Sequence, residues 1–296
     1  MNKLLIALFW MGSALAAPAP DAVTLNNLGT RRFAAGEFPQ AESLYLRALD
    51  LWKAEHPGPS RDGAVMMGNL AAVYRAQARY AEAEKLSLAS LDMLERSTGP
   101  VSRERATALN NLAELYRNQG AFVKAEGYAL RSVNVAERVD GRSGLLTADS
   151  RHTLAAILSG EGRNREAAAM LRSVLRTRTA ALGSGDPAVA ITLNNLAAIY
   201  LALGKPSQAE GMARHAVESC DALFGAEHPN TAAALNNLAQ ALRFERRYGE
   251  AEPLYGRAVA IWEHALGPHH PDLARAMENL AAFYRDRGAV VTLAAE

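Results

Sequence analysis

Six asparagines share one position of a 42-residue period and form the most regular set of polar side chains in the chain: Asn27, Asn69, Asn111, Asn195, Asn237 and Asn279. Thr153 takes the place of the missing seventh asparagine. A carboxamide offers both a donor and an acceptor, so a row of them can pair with the backbone of a bound peptide whatever its sequence. The same amides could instead bond between neighbouring helices or cap local backbone. The sequence leaves both interpretations open.

Arginines follow four of these asparagines six residues later, namely Arg75, Arg117, Arg243 and Arg285. Guanidinium groups bind carboxylates through two parallel hydrogen bonds, so this row favours an acidic peptide or a free C-terminus as ligand. Alternatively, the arginines pair with local acids such as Glu114 or Asp286, or they are solvated. The row therefore indicates the chemistry of a ligand only if the surface that carries it binds one.

Seven leucines provide the framework that must position these side chains, because they recur once in every period without an insertion: Leu28, Leu70, Leu112, Leu154, Leu196, Leu238 and Leu280. Such self-similarity predicts a solenoid whose units pack on their neighbours. Apolar residues at helical spacing surround each leucine, and in five units a glycine, from Gly36 to Gly288, follows eight residues later. Each unit is therefore predicted to hold two helices, with units beginning near residues 22, 62, 104, 146, 188, 230 and 272.

The helical period of about 100° per residue assigns each position of the first helix to a face. Apolar positions cover the side that carries the leucine, whereas the asparagine and arginine positions fall on one contiguous outward strip. The fourth unit departs from the pattern on this strip, where Asp149, His152, Thr153 and Ser159 replace the usual residue types. This departure predicts either a specificity pocket or decay of the repeat.

The repeating unit resembles the tetratricopeptide repeat, in particular its 42-residue form in kinesin light chains and many bacterial proteins. The sixth unit shows the motif best, with Glu227-His228-Pro229-Asn230, Leu235-Asn236-Asn237-Leu238-Ala239 and Ala251-Glu252-Pro253-Leu254-Tyr255. The resemblance covers about residues 22–288, as six full repeats and a partial seventh. It implies an all-α, right-handed superhelical solenoid of antiparallel helix pairs. It also implies a concave groove for peptides or partner domains, and no enzyme activity.

The N-terminal residues predict export. Lys3 precedes an apolar stretch from Leu4 to Ala17, which contains a small-x-small cleavage site before Ala17. Residues 1–16 are thus predicted to be a signal peptide, and the mature chain to be periplasmic or secreted without an integral membrane span. The solenoid would then occupy residues 17–288, and residues 289–296 a short tail or truncated helix. Because such an end leaves the array partly uncapped, a homodimer through it is a further hypothesis.

Composition and motifs argue against several function classes. The chain has 32 basic and 31 acidic residues and a formal charge of +1, which argues against a nucleic-acid partner. No phosphate-binding loop, dinucleotide fingerprint, nucleophile elbow or zinc-protease motif is present, and no cofactor is predicted.

Two reactive residue types have structural explanations. Counted from the repeated leucine, Cys220 occupies the place in the fifth unit that Trp262 holds in the sixth, which favours packing over thiol chemistry. Three histidines lie close together near the seventh unit: His264, His269 and His270. The last of them precedes a proline as His228 does one unit earlier, which is typical of a helix-entry turn. We therefore predict no metal site.

Together these observations predict an exported scaffold that binds a protein or peptide partner through the asparagine and arginine rows, without catalysis. Two alternatives remain open from the sequence. One is a periplasmic chaperone or assembly factor for secretion or envelope machinery. The other is a hydrolase or glycan-binding protein that uses residues of the groove.

Overall fold

The computed structural model describes residues 20–267 and 271–293, which form thirteen α-helices and no strand. The first helices of the units are α1 (Ala22–Ala34), α3 (Arg61–Ala76), α5 (Arg103–Asn118), α7 (Leu145–Gly160), α9 (Pro187–Ala202), α11 (Pro229–Phe244) and α13 (Pro271–Leu293). The second helices are α2 (Phe38–Glu55), α4 (Tyr80–Ser97), α6 (Phe122–Asp140), α8 (Asn164–Leu182), α10 (Pro206–Phe224) and α12 (Tyr248–Leu266). The predicted all-α repeat of helix pairs is confirmed. The predicted signal peptide lies outside the described residues.

The chain divides into two compact units, the first of which spans Met1–Gly58 and contains α1 and α2. Its core includes Leu25 and Tyr45, and the Tyr45 ring packs directly on Gly29, where a Cβ atom would fall 2.8 Å from the ring. Leu28 is 38% exposed, so the first of the seven leucines is not on the packed face that the helical period assigns to it. The neighbouring glycine takes the contact instead, because only a residue without a side chain fits beneath the tyrosine.

The second unit spans Pro59–Glu296 and contains α3 to α13. Each helix contacts the next along the chain, and each first helix also contacts the following first helix. The leucines from Leu70 to Leu238 are buried, as are the alanines thirteen residues after them, from Ala83 to Ala251. Methyl side chains let the paired helices approach closely, and Cys220 is a free, buried cysteine within this interior.

The turns between paired helices keep one conformation whether or not glycine is present. Gly120, Gly162 and Gly204 have positive φ, and Ala78 and Arg246 adopt the same region at 58° and 61°. Left-handed backbone costs a residue with a Cβ atom roughly 1 kcal/mol, so packing of the flanking helices imposes the turn at these two places. The turn thus persists in the units that lack glycine, as the repeat predicts.

The predicted turn at Gly288 is wrong. Helix α13 continues through this glycine to Leu293, so residues 289–293 extend a first helix and do not begin a second. Elsewhere the chain reverses because a second helix follows and packs back on the first. No such helix follows α13 in the described residues, so the glycine stays helical at a cost of roughly 1 kcal/mol.

Candidate functional site

The C-terminal asparagines of the row pair with the preceding first helix. Each meets the residue 43 positions earlier: Asn237 Nδ2 donates to Asn194 Oδ1 at 2.8 Å, and Asn279 Nδ2 to Asn236 Oδ1 at 3.2 Å. The carboxamide of Asn195 lies 2.8 Å from His152 Nε2 in the same relation. These three side chains therefore form rungs between α7, α9, α11 and α13, as the structural alternative expected. We call this set the amide ladder.

The amide ladder is interrupted between α5 and α7. Thr153 stands where the other units have asparagine, and its counterpart on the preceding first helix is Asn110. The Oδ1 atom of Asn110 is buried and has no hydrogen-bond partner. A buried acceptor without a partner costs about 1–3 kcal/mol. The missing asparagine thus leaves a specific defect in the fourth unit.

The remaining asparagines differ in exposure. Asn27 is exposed in the N-terminal unit, whereas Asn69 and Asn111 are half-buried on α3 and α5. Asn236 and Asn237 are buried, so these two positions of the strip predicted to face outward are largely covered in the sixth unit. They are covered because neighbouring first helices pack against them, which a single-helix wheel does not include. Ligand contact by the amides stays a prediction.

The four arginines have separate environments. Arg75 pairs with Glu114 at 2.8 Å, and Arg243 pairs with Asp286 at 3.3 Å, so local acids take up half of the row. Arg117 is half-buried on α5 and has no ion pair among the described residues. Arg285 is exposed on α13. Only Arg117 therefore combines partial burial with an uncompensated charge.

A buried arginine that the sequence analysis did not identify organises the fourth unit. Arg178 on α8 is 7% exposed and reaches between α7 and α9. Its Nη2 atom donates to Asp149 Oδ1 at 2.7 Å, and its Nη1 atom donates to Thr192 Oγ1 at 2.7 Å and to His152 Nδ1 at 3.1 Å. The guanidinium thereby fixes residues from two first helices. We call Arg178, Asp149, His152, Thr192 and Asn195 the fourth-unit cluster.

The position of Arg178 within the repeat indicates its unusual role. Counted from the repeated leucine, it occupies the place that Leu94, Cys220 and Trp262 hold in other units. All three of those residues are buried. A charged residue in an apolar place of the repeat indicates a buried polar contact, which the register alone could have identified.

A cavity of about 440 Å³ lies beside the fourth-unit cluster. Its polar walls come from four first helices and include Glu114, Arg117, His152, Thr153, Ser159, Asn195 and Arg275. Burial, with the nearby Arg178 and Arg117, lowers the pKa of His152 to about 4. His152 is therefore neutral near pH 7. Of the four residues that predicted either a pocket or decay, His152, Thr153 and Ser159 line this cavity, and Asp149 does not.

A second cavity of about 450 Å³ adjoins the first. It lies between α9 and α11, where Leu201 and Phe244 provide apolar walls and Gln240 provides an amide. Asn195, Ala198 and Arg275 border both cavities. We call the surface of α5, α7, α9 and α11 that contains the two cavities the groove.

Other reactive groups in the described residues have structural roles. Cys220 is buried, and burial raises the pKa of its thiol, which disfavours the reactive thiolate. His228 caps α11 by accepting a hydrogen bond from the amide of Asn230 at 3.1 Å. No group of three metal-ligating side chains occurs in residues 20–267 and 271–293, and His269 and His270 lie outside this part. Among the described helices, none has the length and apolar character needed to cross a bilayer.

The sequence matches the family model of the tetratricopeptide repeat over residues 21–96, 104–180, 162–222, 188–263 and 230–289. A search of curated proteins finds no significant match. The structure is similar to a Podosopora anserina protein that carries the kinesin light chain name and has nearly identical TPR-like repeats. The two share 22% identity at a TM-score of 0.55, over 67% of this chain and 93% of the other.

Two further solved structures share the fold. BtubC (BKLC) from P. vanneervenii is 25% identical at a TM-score of 0.54, over 74% of this chain and 84% of the other. The Rap conjugation gene regulator of plasmid pLS20, in complex with the Phr* peptide, is 14% identical at a TM-score of 0.63, over 92% of this chain and 75% of the other. The helix-pair array thus recurs in proteins of very different sequence, one of them in complex with a peptide.

Proposed function

Because the chain belongs to the tetratricopeptide repeat family, we propose that it is a non-catalytic scaffold that binds an extended segment of a partner protein in the groove. The observation that carries this proposal is the pair of adjoining cavities on α5, α7, α9 and α11, about 440 and 450 Å³ in volume. Two adjoining open cavities suit side chains that project from one extended backbone. The peptide complex of the Rap regulator supports the same use of such an array.

The size of the groove favours a segment over a metabolite. Packed first helices lie about 8–10 Å apart, so the four helices give a surface of roughly 30 Å. An extended peptide rises about 3.3 Å per residue and would lie along this surface over roughly nine residues. The groove therefore matches a short linear segment of a partner.

The charge of the groove favours an acidic segment. Arg117 has no ion pair among the described residues, whereas Glu114 beside it is already paired with Arg75. Arg275 adds a second positive charge at the border of both cavities, although Asp272 holds its guanidinium at 2.6 Å. Binding is accordingly expected to weaken as salt is added.

Site-specific photo-crosslinking in the native host tests the proposal. A photoreactive amino acid at Ala198, which is exposed and borders both cavities, should capture one discrete partner protein. The matched control places the same group at Arg172, an exposed residue of the second helix α8. Equal capture at both positions, or none at Ala198, would show that the groove is not the binding surface.

Export and self-association belong to the same proposal. We expect mass spectrometry of the native protein to find a chain that begins at Ala17 in the periplasmic or secreted fraction, and an intact N-terminus would contradict export. Met277 and Tyr284 on α13 are 57% and 50% exposed, and we propose that a homodimer forms through this surface. Sedimentation that gives one monomer mass at all concentrations would remove the dimer.

A further inference from the structure

The protonation of His152 follows from its neighbours. Arg178 Nη1 lies 3.1 Å from His152 Nδ1, and a guanidinium can only donate hydrogen bonds. His152 Nδ1 must therefore be an acceptor. In a neutral imidazole the single proton then lies on Nε2, which points toward Asn195.

The position of this proton reverses the direction of the hydrogen bond in one rung of the amide ladder. Asn195 Nδ2 lies 2.8 Å from His152 Nε2, and two N–H groups cannot donate to each other. A half-turn of the carboxamide keeps its shape and brings Oδ1 to the histidine, where it accepts the Nε2 proton. The Nδ2 donors of Asn195 are then turned away from the histidine, on a side chain that borders the cavity. In the next two rungs, by contrast, the Nδ2 atoms of Asn237 and Asn279 donate hydrogen bonds to the preceding first helix.

We propose that the cavity of the fourth unit is a subsite for a carboxylate of the bound segment, with Asn195 and Arg117 as donors and Arg178 and His152 as positioning residues. Both donors border the cavity. A carboxylate is an acceptor with two oxygens, so it matches an amide N–H on one side and a guanidinium on the other. The carboxylate comes either from an acidic side chain or from a free C-terminus. The inference rests on the proposed function and adds the place and the chemistry of one contact.

The other charged groups near the cavity are compensated, which leaves these donors available. Asp149 neutralises the guanidinium of Arg178 at 2.7 Å, and Glu114 is paired with Arg75 at 2.8 Å. The Ser159 hydroxyl donates to the side chain of Asn164 at 2.9 Å. The uncompensated positive charge at the cavity wall is therefore that of Arg117, which borders the same cavity as Asn195.

The imidazole tautomer tests the positioning step in the free protein. Long-range ¹H–¹⁵N spectra of the histidine ring at pH 7 should show His152 with its proton on Nε2. The variant Arg178→Leu, which places in α8 the residue type that Leu94 has in α4, should lose this preference. The control Arg172→Leu removes an exposed charge from the same helix and should leave the spectrum unchanged. A proton on Nδ1 in the unchanged protein would overturn the proposal.

Peptide binding tests the subsite itself. Panning a random library of 12-residue peptides against the full chain should enrich an acidic residue, or a free C-terminus, at one fixed place. Exchange of that acid for its amide, or amidation of the C-terminus, should weaken binding about tenfold, and the two changes distinguish the sources. In His152→Asn, which restores the residue type of Asn194 and Asn236, and in Arg178→Leu, this tenfold discrimination should disappear. In Arg172→Leu it should persist.

The outcomes separate the subsite from the general function. Peptides that bind the groove without any preference for a carboxylate would overturn the subsite and leave the scaffold proposal standing. Discrimination that survives in both His152→Asn and Arg178→Leu would overturn the positioning roles. If no peptide is enriched at all, both proposals fail.

Discussion

Repair of the amide ladder at Thr153 should stabilise the protein. Thr153→Asn places a carboxamide opposite Asn110, in the same relation in which Asn237 meets Asn194 at 2.8 Å and Asn279 meets Asn236 at 3.2 Å. The new Nδ2 would donate to Asn110 Oδ1, which is buried without a partner. Threonine and asparagine have similar volumes, so the exchange needs little repacking.

The expected magnitude follows from two opposing effects. Pairing a buried acceptor recovers about 1–3 kcal/mol. Loss of the buried threonine methyl costs about 0.8 kcal/mol. A net gain of about 1 kcal/mol corresponds to roughly fivefold slower opening of the surrounding backbone. Because repeat arrays seldom unfold in one step, this gain is best measured locally, by native-state hydrogen exchange of the α5 and α7 amides.

Two controls isolate the hydrogen bond. Thr153→Val keeps the shape without an amide and should bring no gain. In an Asn110→Ala background the effect of Thr153→Asn should vanish, because the acceptor is absent. If the α5 and α7 amides exchange no more slowly in Thr153→Asn than in Thr153→Val, the interrupted rung is not a defect. The same substitution should also weaken segment binding, since Thr153 lines the cavity that would carry the carboxylate.

The remaining predictions concern pH, packing and backbone strain. The pKa of His152 is lowered to about 4 from 6.5, so the unfolded chain takes up its proton first on acidification. The free energy of unfolding should therefore fall by up to about 3 kcal/mol between pH 6.5 and 4, and denaturant melts of His152→Asn should lack this part of the pH dependence. Gly160→Ala would place a Cβ atom 2.5 Å from the ring of Phe122 and should lower the free energy of unfolding by about 1–3 kcal/mol. Gly127→Ala, where nothing lies within 4 Å of the new Cβ atom, should raise it by about 0.5–1 kcal/mol. Equal shifts of the melting temperature in the two variants would contradict this contrast. Ala78→Gly and Arg246→Gly should each stabilise the chain by about 1 kcal/mol in urea unfolding, because both residues have positive φ, and a loss at either site would show that its turn is not strained.

The sequence predicted the helix pairs because their signals act within one unit. The spacing of apolar residues around the leucine, the small alanine and the turn residue all constrain neighbours a few positions apart. The partner of Asn237 could not be read in this way, because it depends on how far one first helix is displaced along the next. That displacement is a tertiary quantity, and it brings each ladder position opposite the residue 43 places earlier. The same cause explains why Asn236 and Asn237 are buried where the helical wheel predicted an open strip.

The arrangement of the fourth unit favours a specific site over decay of the repeat. Random drift removes repeat residues independently and leaves polar groups without partners. Here Arg178 replaces an apolar residue, and its partners Asp149, His152 and Thr192 come from two other helices, so the changes complement one another. Burying a guanidinium in place of an aliphatic side chain brings no stability by itself, because desolvation offsets the attraction. The unpaired Asn110 acceptor beside the cluster adds a further cost. Costs of this kind at Arg178 and Asn110, combined with complementary partners for the guanidinium, are expected where residues are retained for binding.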